Sequence, residues 1–419
     1  MVPALAGAAA PGPKTGGGPQ PAKEELMYTA TAGITLPTTI IGSLPRPSWY
    51  TENLGRRNFR EAMVDRFYRE QYLDAASAFL RDQETAGLDV VTDGDCRFDA
   101  DVGGHNWFSY PAIRMDGFSG ATAYKSQGGR AGMPHKRGHI LHDILEARIM
   151  PDLVGPVGRG TLQYTAIWKA AQRLTPRPVK FGTITAELVA MAVRDLHYKD
   201  LRKAIMAISD ALHEELAELV EAGCKVIQME ETQIHLLAAK GLVDEVLNPD
   251  FMVEVFNNTV RGLRAKCEIW CHTCWGNPAG QRIFSTQPSY APALAPLSRL
   301  DADVITFENC STGGIDLEAI GRGIRDKKVC IGVVDHHTLQ VETPGEVADM
   351  IRRALKHIPA ERLVLGSDCG MGREGMSRRH AFHKMVSIVQ GTNSVRRELG
   401  LPEAACLAAD ERYSMVEDR

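Results

Sequence analysis

From residue 179 to residue 398 the chain alternates between short apolar runs, rich in valine and isoleucine, and longer stretches of helical period. The runs cover 179–184, 224–229, 269–274, 303–307, 329–334 and 362–366. The helical stretches cover 200–222, 248–265, 289–300, 315–325, 343–357 and 377–398. In the first of these, Leu201, Ile205, Ile208, Leu212, Leu216 and Leu219 recur at helical spacing. A near-continuous apolar run is what a parallel strand buried on both faces requires, and parallel neighbours need a crossover helix between them. Two further runs lie upstream, at 38–43 and 88–92, separated by helical period over 59–86, where Phe67, Leu73, Ala76, Phe79 and Leu80 form one face. Eight strand–helix units predict an α/β fold, a single (β/α)8 TIM barrel. An open doubly wound sheet is the runner-up, but no Gly-x-Gly-x-x-Gly follows any of the runs.

Three segments fall outside the alternation. Residues 1–30, with five prolines and a Gly16-Gly17-Gly18 run, predict a disordered tail. Residues 96–177 are too long for a simple connection and predict an insertion after the second strand, folding as a lid over one end of the barrel. Residues 142–150 within it fit helix or strand equally. The barrel is expected over 31–400, with a C-terminal tail at 401–419.

A net charge of −4 gives no basis for nucleic-acid binding. No apolar run reaches membrane-spanning length, and the N-terminus has no basic start or long apolar core. Nine cysteines, an odd number in a long chain, fit free thiols in a reducing cytoplasm. A homo-oligomer stays open.

In a barrel of this kind the C-terminal strand ends share one face, where chemistry collects. The polar residues of this chain fall at those ends: Ser43, Asp93 and Asp95, Glu230 and Glu231, His272 and Cys274, Glu308, Asp335 and His337, and Cys369. His272 and Cys274, two apart, share a face if both lie on a strand. With Glu308 and Cys369 they make a tetrahedral set of acceptable Zn2+ donors. The two thiolates and one carboxylate outweigh the ion's charge. Such a zinc is a poor activator of water but holds an incoming thiol as thiolate. Alone, the His-x-Cys pair reads equally as a buried thiol beside a surface histidine. Cys310 is an alternative to Glu308. Cys267, Cys271 and Cys330 read as packing residues. His337 is the candidate general acid, oriented by Asp335, with His336 turned away. Glu230-Glu231 suits a substrate amine, or a surface pair. Arg373 to Arg379 reads as a solvated face, and His105 and Trp107 as a loop or a pocket lining.

These residues, taken in order, resemble the catalytic barrel of the cobalamin-independent methionine synthase family. The shared signals are Ile41-Gly42-Ser43, Thr92-Asp93-Gly94, Ile227-Gln228-Met229-Glu230-Glu231, His272-Thr273-Cys274, Glu308, Val334-Asp335-His336-His337 and Asp368-Cys369-Gly370. The resemblance implies a (β/α)8 barrel with catalytic zinc on His272, Cys274, Glu308 and Cys369. It implies Ser43, Asp95 and Glu230 as holders of the amino-acid substrate and His337 as proton donor. The expected reaction is transfer of a methyl or alkyl group, from folate or another donor, to a zinc-activated thiol such as homocysteine. The resemblance covers the family's catalytic barrel and not the large N-terminal barrel of its full-length members. Asp95 and Glu230 also stand where the family has glutamate and aspartate. The alternatives are an epoxide-opening coenzyme M transferase or lyase on the same zinc thiolate, a non-catalytic zinc-binding barrel, and a metal-free decarboxylase.

Overall fold

The computed structural model describes residues 28–98, 106–123, 149–241, 245–276, 289–372 and 375–410. Its strands are β1 (Val91–Thr92), β2 (Asp116–Ala123), β3 (Ile149–Gly158), β4 (Val179–Ile184), β5 (Arg194–Asp195), β6 (Val226–Glu230), β7 (Glu268–His272), β8 (Val304–Phe307), β9 (Lys328–Val334) and β10 (Leu363–Ser367). Seven of them form one parallel sheet in the order β1-β4-β6-β7-β8-β9-β10. The sheet curls. Leu365 N donates to Pro37 O and Thr39 N to Leu365 O, both at 2.9 Å, while Asp89 N and Val90 N donate to Thr38 O at 3.0 and 3.1 Å. Residues 37–39 thereby join the last strand to the stretch leading into the first, an arrangement consistent with a TIM-like barrel.

The period-two alternation of side chains sorts each strand between two environments. Ile227, Met229, Ile269, Cys271, Ile305, Phe307, Val329 and Ile331 belong to the large core packed under the helices. Val90, Val226, Trp270, Val304, Cys330 and Val364 form a separate small apolar cluster on the inner face. Ala30 joins that cluster from the N-terminal side. Glu268, below Trp270, accepts from Thr29 N at 2.8 Å and Thr31 N at 2.7 Å, while Lys328 Nζ donates to Thr31 O at 3.0 Å. Residues 28–31 therefore seal the end of the barrel away from the site.

Several expectations are revised. The run 38–43 contributes one bridge, Thr38 to Leu365, because Gly42 and Ser43 turn toward the site before Pro45. Run 88–92 shortens to two strand residues. The 59–86 helix is two, Phe59–Ala62 and Arg66–Ala86, and Phe67 is exposed; Tyr68 and Tyr72 take the buried face with Phe79 and Leu80. Helices at Ala186–Ala192 and Gln233–Lys240 were not expected. The last three residues of the anticipated N-terminal tail belong to the fold, and residues 1–27 lie outside the described ones. Within 96–177, β2 and β3 pair antiparallel, and β3 pairs parallel with β5, which lies beyond that segment. Helix Tyr164–Gln172, by contrast, packs on the main sheet: Trp168 Nε1 donates to Val179 O at 3.2 Å, and the Tyr164 ring lies 4.8 Å from that of Phe181 at a tilt of 46°. Of the undecided 142–150, residues 149 and 150 start β3 and the rest lie outside the described residues. At the C-terminus, Asn393 exchanges two hydrogen bonds with Ala404, holding part of the expected tail on the fold. All nine cysteines are free. Among the described residues no helix is long and apolar enough to cross a membrane.

Candidate active site

His272 is the last residue of β7, and Cys274 lies two residues on, past the strand. The strand argument for their shared direction therefore does not apply to Cys274, yet both still converge with Cys369. The ligand atoms of His272, Cys274 and Cys369 lie within 4.8 Å of one another, and all three residues are buried. Cys369 Sγ donates to Cys274 Sγ at 3.6 Å. Two thiolates on one tetrahedral zinc, with bonds of about 2.3 Å, stand about 3.7 Å apart. The hydrogen bond from Cys369 holds the Cys274 thiol well above its usual pKa range, followed by burial and the charges of Cys369, Glu308 and Glu230. Two buried thiolates this close are compatible only with a cation between them, so the donor set fits a soft dication. Thr306 Oγ1 lies 2.6 Å from His272 Nδ1. With the proton on Nδ1, the Nε2 lone pair is left for a metal.

Glu308 follows β8, and its carboxylate is tied at both ends. Oε1 accepts from Ser311 Oγ at 2.7 Å and Oε2 from Trp275 N at 2.9 Å. Its ligand atom groups within 4.8 Å with those of His336 and His337, not with the two thiols. Glu308 therefore stands beside the three-residue cluster, joined to it through the backbone next to Cys274. Cys310 does not enter the cluster; burial pushes its thiol up. His336 is not turned away as expected: its ring lies 3.9 Å from that of His337, tilted by 44°. Asp335 Oδ1 accepts from both the backbone N (2.7 Å) and Nδ1 (2.6 Å) of His337. Burial is the largest single effect and lowers the His337 pKa, but this bond together with the charges of Asp335, Glu308 and Asp368 outweighs it, and the net shift is upward. Nε2 of His337 faces Glu308 Oε1 at 3.9 Å.

A cavity of about 450 Å³ opens beside the thiols. Ser43, Asp95, Glu230 and Cys369 all line it, with Arg46 and Arg97. Ser43 Oγ accepts from Gly372 N at 3.3 Å. Gly370 passes so close that a Cβ there would stand 2.2 Å from Ser43 Oγ. Asp95 has φ +55°, held by its N–H on Asp93 Oδ1 at 2.9 Å. Its Oδ1 accepts from Arg97 Nη1 at 2.9 Å, and Arg97 Nη2 donates to Gly182 O at 2.6 Å. Glu230 Oε1 accepts from Gln228 Nε2 at 2.8 Å, and Oε2 is 3.6 Å from His272 Nε2. Its neighbour Glu231 faces the other way, accepting from Gln233 N and Ile234 N. The Glu230-Glu231 pair is thus divided between site and scaffold.

Residues 36–391 match the family model described as cobalamin-independent synthase, catalytic domain. The chain belongs to that family. A 2-hydroxypropyl-CoM lyase of Xanthobacter autotrophicus is 28% identical, over 89% of this chain and 98% of the relative. A methionine synthase of Saccharolobus solfataricus is also 28% identical, over 87% and 96%. The solved structure of a B12-independent methionine synthase from a Shewanella species, in complex with selenomethionine, superposes with a TM-score of 0.70 at 27% identity, covering 87% of this chain and 99% of that one.

Sequence reasoning did not assign roles to Arg97, Lys180, Gln228, Thr306 or Ser311. Lys180 carried a signal, a charge inside an otherwise apolar strand, as did Arg97, a basic residue two positions after Asp95. Arg373 and His105 lie outside the described residues, as does the Trp107 side chain; Arg378 pairs with Asp82 at 2.7 Å.

Proposed function

We propose that this chain is a zinc-dependent transferase that moves a methyl or other alkyl group onto a small thiol. The observation that carries the reading is one juxtaposition: a buried His–Cys–Cys cluster whose Cys369 also lines a cavity shared with Ser43, Asp95 and Glu230. In this reading His272, Cys274 and Cys369 hold the metal, with Glu308 as the fourth and exchangeable ligand. Zinc, when bound, supplies a Lewis acid that keeps a substrate thiol ionised at neutral pH. Ser43, Asp95 and Glu230 orient the thiol's head group. His337, kept protonated by Asp335, delivers a proton from Nε2 to the leaving group. The 37–39 segment counts as the eighth strand of a (β/α)8 barrel, and the β2–β3 hairpin with its flanking residues acts as the lid.

One observation favours a second reading. The 2.9 Å Arg97–Asp95 pair neutralises a carboxylate that would otherwise attract a substrate amine. That suits a thiol without an amino-acid head group, as in a coenzyme M lyase-type reaction. A thiol panel separates the two.

The test is metal content followed by zinc-edge X-ray absorption with and without homocysteine. About one zinc per chain, gaining one sulfur neighbour on addition of thiol, supports the reading; a gain with another thiol only supports the second. Binding energies of roughly 10–16 kcal/mol spread over four ligands give about 3–4 kcal/mol each, so Cys369→Ser should weaken zinc by about 100- to 1,000-fold. An active, zinc-free Cys369→Ser variant overturns the reading.

A further inference from the structure

Beneath the candidate site lies a buried lysine with, among the described residues, no carboxylate at its ammonium. Lys180, on β4, is 1% exposed. Its Nζ donates to Ile40 O at 2.8 Å and to Gln228 Oε1 at 2.7 Å, and stands 4.5 Å over the Trp270 ring. Trp270 belongs to the small apolar cluster of the inner face, so the ammonium rests on an apolar floor. Burying a charge there is expensive and calls for a reason.

The reason lies in the amide above it. An ammonium only donates, so Gln228 must turn its oxygen down to Lys180 and its nitrogen up. That nitrogen then donates to Ile41 O at 2.9 Å and to Glu230 Oε1 at 2.8 Å. Gln228 and Glu230 are two apart on β6 and share the inner face. A neutral residue at 180 would leave the buried amide oxygen without its donor, so that Ile41 O and Glu230 alone would hold the amide's orientation. The lysine also places a positive charge below a site that gathers the carboxyl groups of Glu230 and Glu308. Burial draws the Lys180 pKa down to about 8, with the charges of Cys330, Glu230 and Asp95 opposing that fall. The ammonium therefore persists near neutrality.

We propose that Lys180 is a positioning residue which, through Gln228, fixes the ionised carboxylate of Glu230 to receive the ammonium group of an aminothiol substrate. The inference rests on the functional reading above, in which Glu230 holds the substrate's head group, and it names that substrate's class.

The experiment is calorimetric binding of homocysteine and of its deamino analogue to zinc-loaded full-length protein. Wild type is compared with Lys180→Met, Gln228→Met and the double variant. Wild type should prefer homocysteine. Lys180→Met should weaken homocysteine at least tenfold, change the deamino analogue less than twofold and keep its zinc. Gln228→Met should do the same, and the double variant should be no worse than either single one, because the two residues act in series. Equal weakening of both thiols signifies a merely structural role and overturns the proposal, as does homocysteine binding unchanged in Lys180→Met. If that variant does not fold, Gln228→Met alone decides by the same two criteria. Wild type that binds both thiols equally overturns the amine assignment while sparing thiol binding. Wild type that binds neither thiol overturns the functional reading and the proposal with it.

Discussion

Asp368 offers the sharpest check on how the site is held. Its carboxylate is buried between β10 and the loop that follows β8. Oδ1 accepts from Asn309 N and Cys310 N, both at 2.8 Å, and Oδ2 from Ser311 N at 2.7 Å. Ser311 in turn donates to Glu308 Oε1, so the loop's order and the position of Glu308 depend on one side chain. In Asp368→Asn the amide oxygen can keep the two bonds at Oδ1, but its nitrogen meets the Ser311 N–H, donor against donor. One unpaired buried N–H costs about 1–3 kcal/mol, and burial, reinforced by the charge of Glu308, raises the Asp368 pKa to about 8, so near neutrality the change removes little charge. The variant should be about 1–3 kcal/mol less stable by urea unfolding. Its zinc affinity should fall about 10- to 100-fold, the range for loss of a group that orients a metal ligand. Asp368→Ala, which orphans all three N–H groups, should be worse on both counts. Asp368→Asn within about 0.5 kcal/mol of wild type, as for an ordinary surface change, would refute the reasoning.

Three further outcomes are expected. Burial raises the Asp93 pKa from 3.8 to about 6, Arg97 opposing and Asp95 reinforcing. Between these values the folded chain keeps a proton the unfolded chain has lost, so Asp93 subtracts from stability as pH rises through that window. Asp93→Asn should therefore gain on wild type by about 2.4 kcal/mol between pH 4 and pH 7, read from denaturation midpoints; a difference flat with pH contradicts this. Gly370→Ala should push Ser43 aside and weaken thiol binding about tenfold or more with zinc still bound; unchanged thiol affinity would show that Ser43 does not orient the substrate. In metal-free protein, Cys274 and Cys369 sulfurs 3.6 Å apart need only close to about 2.05 Å, so mild oxidant should link them. Peptide mass analysis should find that disulfide, absent from zinc-loaded protein; its absence from both would mean the thiols do not meet.

The regular part of the fold was legible because two periodicities agree over residues 179–398. Outward strand positions such as Ile227, Ile269 and Ile305 are apolar, and the intervening helices carry their matching stripes. Helix Pro344–Leu355 even starts on the expected Thr343, in a capping box with Glu346. The span 96–177 was less legible because two architectures share it: a hairpin sheet with its own pairing and a helix belonging to the main sheet. Phe67 misled because hydrophobicity alone cannot rank it below Tyr68 and Tyr72, whose rings stack at 5.8 Å in the core. The candidate site residues were picked by their positions at strand ends, without their contacts. Lys180 and Gln228 escaped because a polar residue in an apolar run has no visible partner until the neighbouring strands are in place.

Those neighbouring strands also explain why the site and the fold depend on the same feature. In the sheet, Glu230 of β6 pairs with His272 of β7, and His272 pairs with Thr306 of β8. A carboxylate beside the imidazole and a hydroxyl on its other nitrogen are thus consequences of register alone. Lower on the same strands, Gln228 pairs with Trp270, placing the amide and the ring that receive Lys180 side by side. A one-residue slip of β7 would turn His272 and Trp270 into the helix layer and bring Cys271 to the inner face. It would also bury Glu268 among the apolar residues under the helices, away from Thr29 and Thr31. The hydrophobic pattern that forbids that slip therefore places His272 in the candidate site, and no separate folding instruction for it is needed.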